Sequence, residues 1–408
     1  MRPILLAVCA GLALLSACAT SPPPPVRATA APRARPHAPA AREQASLRAA
    51  PPPAFYRPPP AQRYAAPQTA ATGPRAGGGR ALTLDDELRA EPADWDMLPG
   101  WREEDHVAAL DAFAAGCSAA HAQRWLTLCA RARELGSTDE DAARRFFETN
   151  FRPAPAGDGG LLTAYYTPVY EIRTFPDAEF SAPLRPRPDD IAPGGQPAGG
   201  YADRAQIEAQ PSLDARGWMR PEDLFFLQIQ GSGVLVFPDG TRRRAVFDGT
   251  NGAPFTAIGS TLRQAGALTA SDATGNAVHA WLAAHRGDEA QAVMNADRRY
   301  VFFRLTPDDG QTPAGAAGLR LPPGRALAVD PGRHALGEVL WIDAESPSLQ
   351  GAVPVYRRLA MALDTGGAIR GDVRADLYLG VGPQAGLEAG RVRHRLKLWR
   401  LEPLDSAE

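Results

Sequence analysis

Two aspartates, Asp364 and Asp376, bracket the glycine-rich stretch Thr365-Gly366-Gly367-Ala368-Ile369-Arg370-Gly371-Asp372-Val373-Arg374-Ala375. Leu359-Ala360-Met361-Ala362-Leu363 leads in and Leu377-Tyr378-Leu379-Gly380-Val381-Gly382 leads out. Both flanks read as buried strands. A carboxylate at the end of a buried strand must be hydrogen-bonded, paired or kept protonated. Those conditions also turn a carboxyl into a general acid. They suit equally well two structural aspartates that cap a turn, and the residues alone leave both readings open.

The sequence around this segment is rich in strand signals. Leu161-Leu162-Thr163-Ala164-Tyr165-Tyr166-Thr167-Pro168 reads as a strand, as does Phe225-Phe226-Leu227-Gln228-Ile229-Gln230, closed by Gly231-Ser232-Gly233. Val234 to Phe237 and Arg242 to Phe247 flank Pro238-Asp239-Gly240, a hairpin signal. Tyr300-Val301-Phe302-Phe303-Arg304 and Val339-Leu340-Trp341-Ile342 are further short strands, and Asn276 to His285 reads as a helix packed on the sheet. Many short strands argue for a closed β architecture rather than a doubly wound sheet. Upstream, Leu82 to Asn150 reads as helical. Val107, Leu110, Phe113, Ala114 and Cys117 form one apolar stripe, and Trp125, Leu128, Cys129 and Ala132 a second. Ser137-Thr138-Asp139-Glu140 resembles a capping box that opens a third helix.

The first 80 residues have a different character. An apolar run from Ile4 to Leu15 follows Met1-Arg2 and is too short to span a bilayer. It ends in Leu15-Ser16-Ala17-Cys18, which looks like a bacterial lipobox with Cys18 as the lipidated residue. An ordinary secreted protein with an incidental cysteine is the alternative. Residues 21–80 hold 15 of the 40 prolines and nine arginines against one acid, Glu43. Such a segment buries no core and reads as a disordered tether. It carries about +8 and leaves the body near −11, which argues against nucleic-acid partners. Cys117 and Cys129 are the cysteines left for the body, and the compartment favours a disulfide. A very tight helical hairpin would place them further apart than the ~5.5 Å a disulfide needs between Cα atoms. A looser connection over residues 118–123 would not. No Cys/His cluster has metal-ligand spacing.

Taken in order, these segments resemble the membrane-bound lytic murein transglycosylase A family. The matching stretches are Leu161 to Pro168, Phe225 to Gly233, Thr250-Asn251-Gly252-Ala253-Pro254-Phe255-Thr256-Ala257-Ile258-Gly259, Tyr300 to Arg304, Arg325-Ala326-Leu327-Ala328-Val329-Asp330-Pro331, and Asp364 to Gly380. Ala164 stands where a glycine is usual, Ala326 where serine is common and Ala335 where proline is usual; none of these removes an acid.

The resemblance implies a mainly β fold, a double-psi β-barrel with an inserted smaller β-domain and N-terminal helices packed on the barrel. The implied organisation is a lipoprotein signal peptide over 1–17, lipidated Cys18 with its tether over 18–80, a helical segment over 81–160, the barrel over 161–174 and 300–404, and the insertion over 175–299. It further implies a lytic exotransglycosylase, a carbon–oxygen lyase that cleaves peptidoglycan without water and needs no cofactor or metal. Asp376 is the implied acid, then base; Asp364 supports it, and Asp330 is structural. Thr163, Tyr165, Tyr166, Gln228, Gln230, Ser232, Asn251, Gly366 and Gly367 are the implied groove residues. Strand alternation lets only one of Tyr165 and Tyr166 face the groove. It would set Gln228 and Gln230 on one face of their strand. The implied partners are peptidoglycan glycan strands, the periplasmic face of the outer membrane through the lipid anchor, and wall-synthesis proteins. A two-carboxylate hydrolase and a non-catalytic wall-binding lipoprotein remain the alternatives.

Overall fold

The computed structural model describes residues 94–120 and 122–404. The signal peptide, Cys18, the 18–80 tether and the helical segment up to residue 93 lie outside the described residues. Helices α1 (His106–Gly116), α2 (Gln123–Leu135) and α3 (Glu140–Asn150) follow the two apolar stripes and the cap signal. Asp105 caps α1 by accepting from Ala108 N at 2.9 Å, and Asp139 caps α3 by accepting from Ala142 N at 2.7 Å. Glu140 does not close a capping box. Its carboxylate accepts from His106 N at 2.8 Å and so ties α3 to the start of α1. Phe113 and Phe147 of these helices, with Trp101 of the 3₁₀ turn Trp101–Glu103, are buried against barrel residues Trp341, Leu359 and Met361.

Cys117 and Cys129 form a disulfide with Cα atoms 5.5 Å apart. The 3₁₀ turn Cys117–Ala119 supplies the loose connection that this spacing needs. Cys117→Ser is expected to lower stability by about 2–4 kcal/mol. Urea unfolding with and without reductant checks this, since reductant should have no further effect on the variant.

Strand β1 (Phe151–Thr167) begins ten residues before the strand read from the sequence, so the helical segment stops at Asn150 and not at 160. Pro153, Pro155 and three glycines hide this stretch, because such residues weaken a central strand. They are tolerated here because residues 151–160 pair along their length only with the last strand, with irregularities at Pro155/Gly157 and Gly157/Gly160.

The chain then forms a second sheet from β2 (Val169–Glu171), β5 (Ser232–Val236), β6 (Arg242–Thr250) and β7 (Val301–Pro307). A small ribbon pairs β3 (Ala182–Pro183) with β4 (Trp218–Met219). Helices α4 (Arg204–Glu208), α5 (Pro221–Gln230), α6 (Ile258–Gln264), α7 (Gly275–Ala284) and α8 (Asp288–Asn295) accompany it, so this part mixes helix and strand. Three expectations are corrected here. Phe225 to Gln230 is helix α5, with Pro221 opening it and Gly231 closing it at φ 77°. It is buried all round, and a short apolar run carries no period that separates helix from strand. Val301–Pro307 belongs to the second sheet, not to the barrel. The second unit also reaches back to Val169, outside the 175–299 boundaries.

The remaining strands are β8 (Ala326–Val329), β9 (Val339–Glu345), β10 (Val355–Thr365), β11 (Arg374–Val381) and β12 (Arg393–Pro403), with α9 (Pro383–Ala389) before the last. With β1 they close a six-stranded barrel in the order β1-β11-β8-β10-β9-β12. β1/β11 and β8/β10 pair parallel, and the other neighbours antiparallel. Leu162, Leu327, Val329, Leu340, Ile342, Ala362, Ala375 and Leu377 fill the interior.

Candidate active site

Strand β8 organises the site. Its Ala328 pairs with Asp364 on one side and Asp376 on the other, and Asp376 pairs in turn with Thr163. Residues directly opposite on neighbouring strands share a face. Leu327 and Val329 point into the barrel, so Ala328 points out. A bulge between Ala362 and Asp364 sends Leu363 and Asp364 to the same outer side; without it Asp364 would pair with Val329 and point inward. The two acids stand two strand spacings apart, about 9–10 Å between Cα atoms.

The two carboxyls are held differently. Asp364 Oδ2 accepts from Tyr165 OH at 2.7 Å, and Oδ1 accepts from Ala316 N and Thr365 N, both at 2.9 Å. Gly315 allows this approach: a Cβ there would lie 2.5 Å from Leu363 O and 3.1 Å from Asp364 Cβ. Asp376 accepts a short hydrogen bond from the Thr163 hydroxyl, and Thr163 Oγ1 accepts from Arg374 Nη2 at 2.9 Å. Burial pushes both carboxyls above the ordinary aspartate range. For Asp376, Arg374 and Thr163 oppose the rise, and the charge of Asp364 adds the smallest contribution. Asp330 is pulled the other way by bonds from Gly371 N at 2.8 Å and Gly332 N at 3.1 Å. It ties the glycine-rich turn to the end of β8.

The acids open on a cleft of about 1000 Å³, at the upper end for ligand sites. One wall carries Tyr165, Ala328, Gly366, Gly367 and Arg370; the other carries Gln230, Ser232, Arg299 and Arg304 from the second sheet and its approaches. Thr163 lies behind Asp376 and does not line the cleft. Tyr166 packs its ring over Gly386 and donates its N–H to Gln230 Oε1 at 3.0 Å. Gln228 and Gln230 share no strand face, since both sit on α5. Gln228 is at the floor of the cleft and nearly buried, accepting from Arg204 at 2.6 Å and donating to Val301 O at 3.3 Å. Asn251 is buried away from the cleft. Its amide bonds Ala202 O and Arg298 O, and its oxygen accepts from Tyr300 N. Arg374 and Ala316 were not expected. The signal for Arg374 was present, because it lies two residues before Asp376 and so shares its strand face. Among the described residues no group of His, Cys, Asp and Glu is arranged to hold a metal ion.

Comparison with known proteins agrees with this architecture. The model of the MltA specific insert domain matches residues 161–304, and that of the 3D domain matches 325–402. A solved membrane-bound lytic murein transglycosylase from Agrobacterium tumefaciens is 31% identical with a TM-score of 0.65, covering 76% of this chain and 97% of that one. Lytic transglycosylase LtgG of Burkholderia pseudomallei is 34% identical with a TM-score of 0.55, covering 77% and 95%. The membrane-bound lytic murein transglycosylase A of Vibrio cholerae serotype O1 is 31% identical over 254 residues, which are 59% of this chain and 65% of that protein. The chain thus spans just under two thirds of the length of that curated relative. A closed barrel with a 3D domain and an MltA insert defines the class, and the chain belongs to the membrane-bound lytic murein transglycosylase A family.

Proposed function

We propose that the chain is a lytic transglycosylase that cleaves the β-1,4 bond between N-acetylmuramic acid and N-acetylglucosamine in peptidoglycan. Asp376 protonates the glycosidic oxygen, and the C1–O bond breaks to leave an oxocarbenium-like centre. The Asp376 carboxylate then takes the proton of the muramoyl C6 hydroxyl as that oxygen bonds to C1. The product is a 1,6-anhydro end; the proton returns to Asp376 and no water enters. Asp364 keeps a fixed orientation against the sugar and orders the Asp376 side of the cleft.

One observation carries this reading. Among the described residues Asp376 is desolvated with a single hydroxyl donor on it, whereas Asp364 has three donors. A buried carboxyl with few donors favours its protonated form, as a general acid requires. Thr163, polarised by Arg374, is placed to stabilise the carboxylate once the proton has left. The donors already on Asp364 leave it poorly suited to activate a water, which weighs against the two-carboxylate hydrolase. Product analysis of digested sacculi separates the readings, with anhydro ends for one and reducing ends for the other.

The same reading takes the barrel as a double-psi β-barrel, supported by its two parallel pairs within an otherwise antiparallel closure. It takes the second sheet as an insertion, since that sheet lies between β1 and β8 in the chain. It places the protein at the periplasmic face of the outer membrane through lipid on Cys18, with wall-synthesis proteins as candidate partners. Cys18→Ala should move the protein from the membrane to the soluble fraction or leave it unprocessed. Unchanged fractionation would remove the anchor from the account.

A further inference from the structure

Several arginines line the cleft, and most are already engaged. Arg244 is bound to Asp308 and Asp309, Arg320 to Asp309, and Arg304 lies 3.9 Å from Asp248. Arg299 and Arg370 differ: among the described residues neither forms an ion pair. The Arg299 guanidinium lies against Gly367, where a Cβ would be 3.2 Å from its Cζ, and it donates no side-chain hydrogen bond among those residues. The carboxylate whose charge reaches it, Asp297, is turned to Thr256 N at 3.0 Å, Arg299's own N at 3.3 Å and Arg204 at 3.8 Å. Arg370 bonds Gly366 O at 3.1 Å and Ile369 O at 2.7 Å through Nη1 alone. The two guanidinia therefore flank the Gly366-Gly367 turn, in the same cleft as Asp376. Burial, and then the charges of Arg204 and Arg370 against the pull of Asp297, hold the Arg299 guanidinium below its ordinary range. A half-buried Arg299 beside an exposed Arg370, two cations that repel each other with no carboxylate in contact with either, form a site for an anion.

We propose that Arg299 and Arg370 form a carboxylate-binding subsite for the peptide stems of the glycan strand. This rests on the peptidoglycan reading above. Muramoyl residues carry peptides with ionised carboxyl groups, and a guanidinium fork suits such a group in a bidentate manner. The subsite lies beside the turn that links the two acids, so a stem held there fixes the muramoyl ring next to Asp376. The cleft thereby favours stem-bearing strands over bare glycan.

The test uses the full chain on three substrates: native glycan strands, strands whose stems have been removed by an amidase and whose freed lactyl carboxyls have then been amidated, and strands whose stem carboxyls have been chemically amidated. The wild type should prefer native strands by about tenfold or more in kcat/KM, the scale of one charged hydrogen bond. Arg299→Gln should collapse that preference, Arg370→Gln should reduce it, and Arg299→Lys should keep part of it. Equal turnover of all three substrates by the wild type overturns the subsite and leaves the activity standing. An equal loss on all three in Arg299→Gln overturns it too, since a merely structural role predicts that pattern. Binding of native and amidated strands by the Asp376→Asn protein is read in parallel. A tenfold preference there supports the subsite and equal binding overturns it, even if no strand is cleaved. Absence of anhydro products from every substrate would count against the activity itself.

Discussion

Asp376→Asn is expected to lower release of 1,6-anhydro-muropeptides by about 10⁴-fold or more, with fold and sacculus binding close to normal. The amide keeps the size of the carboxyl but can neither give nor take the proton. Loss of general acid–base help in one step typically costs about 10²–10⁴ in rate. Here one group serves both proton transfers, so the loss sits at the top of that range or above it. Asp364→Asn should be milder, because an amide oxygen still accepts from Ala316 N and Thr365 N. If Asp376→Asn stays active, Asp364 becomes the acid. The same Asp376 variant carries a stability signature. Burial raises the native carboxyl pKa above the ordinary aspartate value of 3.8. The native state thus holds that proton more tightly than the unfolded chain, and ionisation opposes folding as pH rises through the raised value. Asp376→Asn should therefore melt higher than wild type at neutral pH, and the gap should close as pH falls below 3.8. Thermal melts across that range check the sign.

The parts of this site that local chemistry determines were legible in the sequence, and the parts set by distant pairing were not. The α1–α3 stripes and the Pro238-Asp239-Gly240 hairpin depend on spacing and turn residues, and the hairpin joins β5 to β6. Residues 151–160 were illegible because their pairing partner, β12, lies more than 200 residues further on. The α5 run hid its period by being buried on every side, although Pro221 and Gly231 marked its ends. Asp364 and Asp376 were legible as a pair. The bulge that turns Asp364 outward was not, because nothing in Met361-Ala362-Leu363 announces an extra residue. Tyr165 and Tyr166 could not be told apart from sequence; the register shift after Tyr165 and contact with Gly386 settle which one faces the cleft. Arg299 left no sequence signal, since its place against Gly367 comes wholly from tertiary packing.

Arg244→Met should destabilise the protein by about 3 kcal/mol or more, the scale for removing one partner of a buried ion pair. Arg244 is 6% exposed, and its Nη2 reaches Asp308 Oδ1 at 2.8 Å and Asp309 Oδ1 at 3.1 Å. The Asp308 carboxylate is almost fully buried and, among the described residues, would keep Gly310 N at 3.3 Å and one cation, Arg242, which is half exposed. The consequence extends to the cleft, because this cluster anchors the segment that brings Ala316 N to Asp364. Activity should therefore fall along with stability. Adding Asp308→Leu should recover part of the lost stability, since a well-packed apolar pair often replaces a buried ion pair at little cost. Urea unfolding of the two variants measures both effects. A cost below about 1 kcal/mol for Arg244→Met would mean that the pair is screened like a surface salt bridge.

The central claim is that one carboxyl performs both proton transfers and that no water is consumed. Sacculi digested by the full chain in water enriched in heavy oxygen, with the products analysed by mass spectrometry, test it most directly. The account predicts 1,6-anhydro-N-acetylmuramic ends that carry no heavy oxygen and disappear in Asp376→Asn. Reducing muramoyl ends that carry the label, lost equally in Asp364→Asn and Asp376→Asn, would contradict it and establish a two-carboxylate hydrolase.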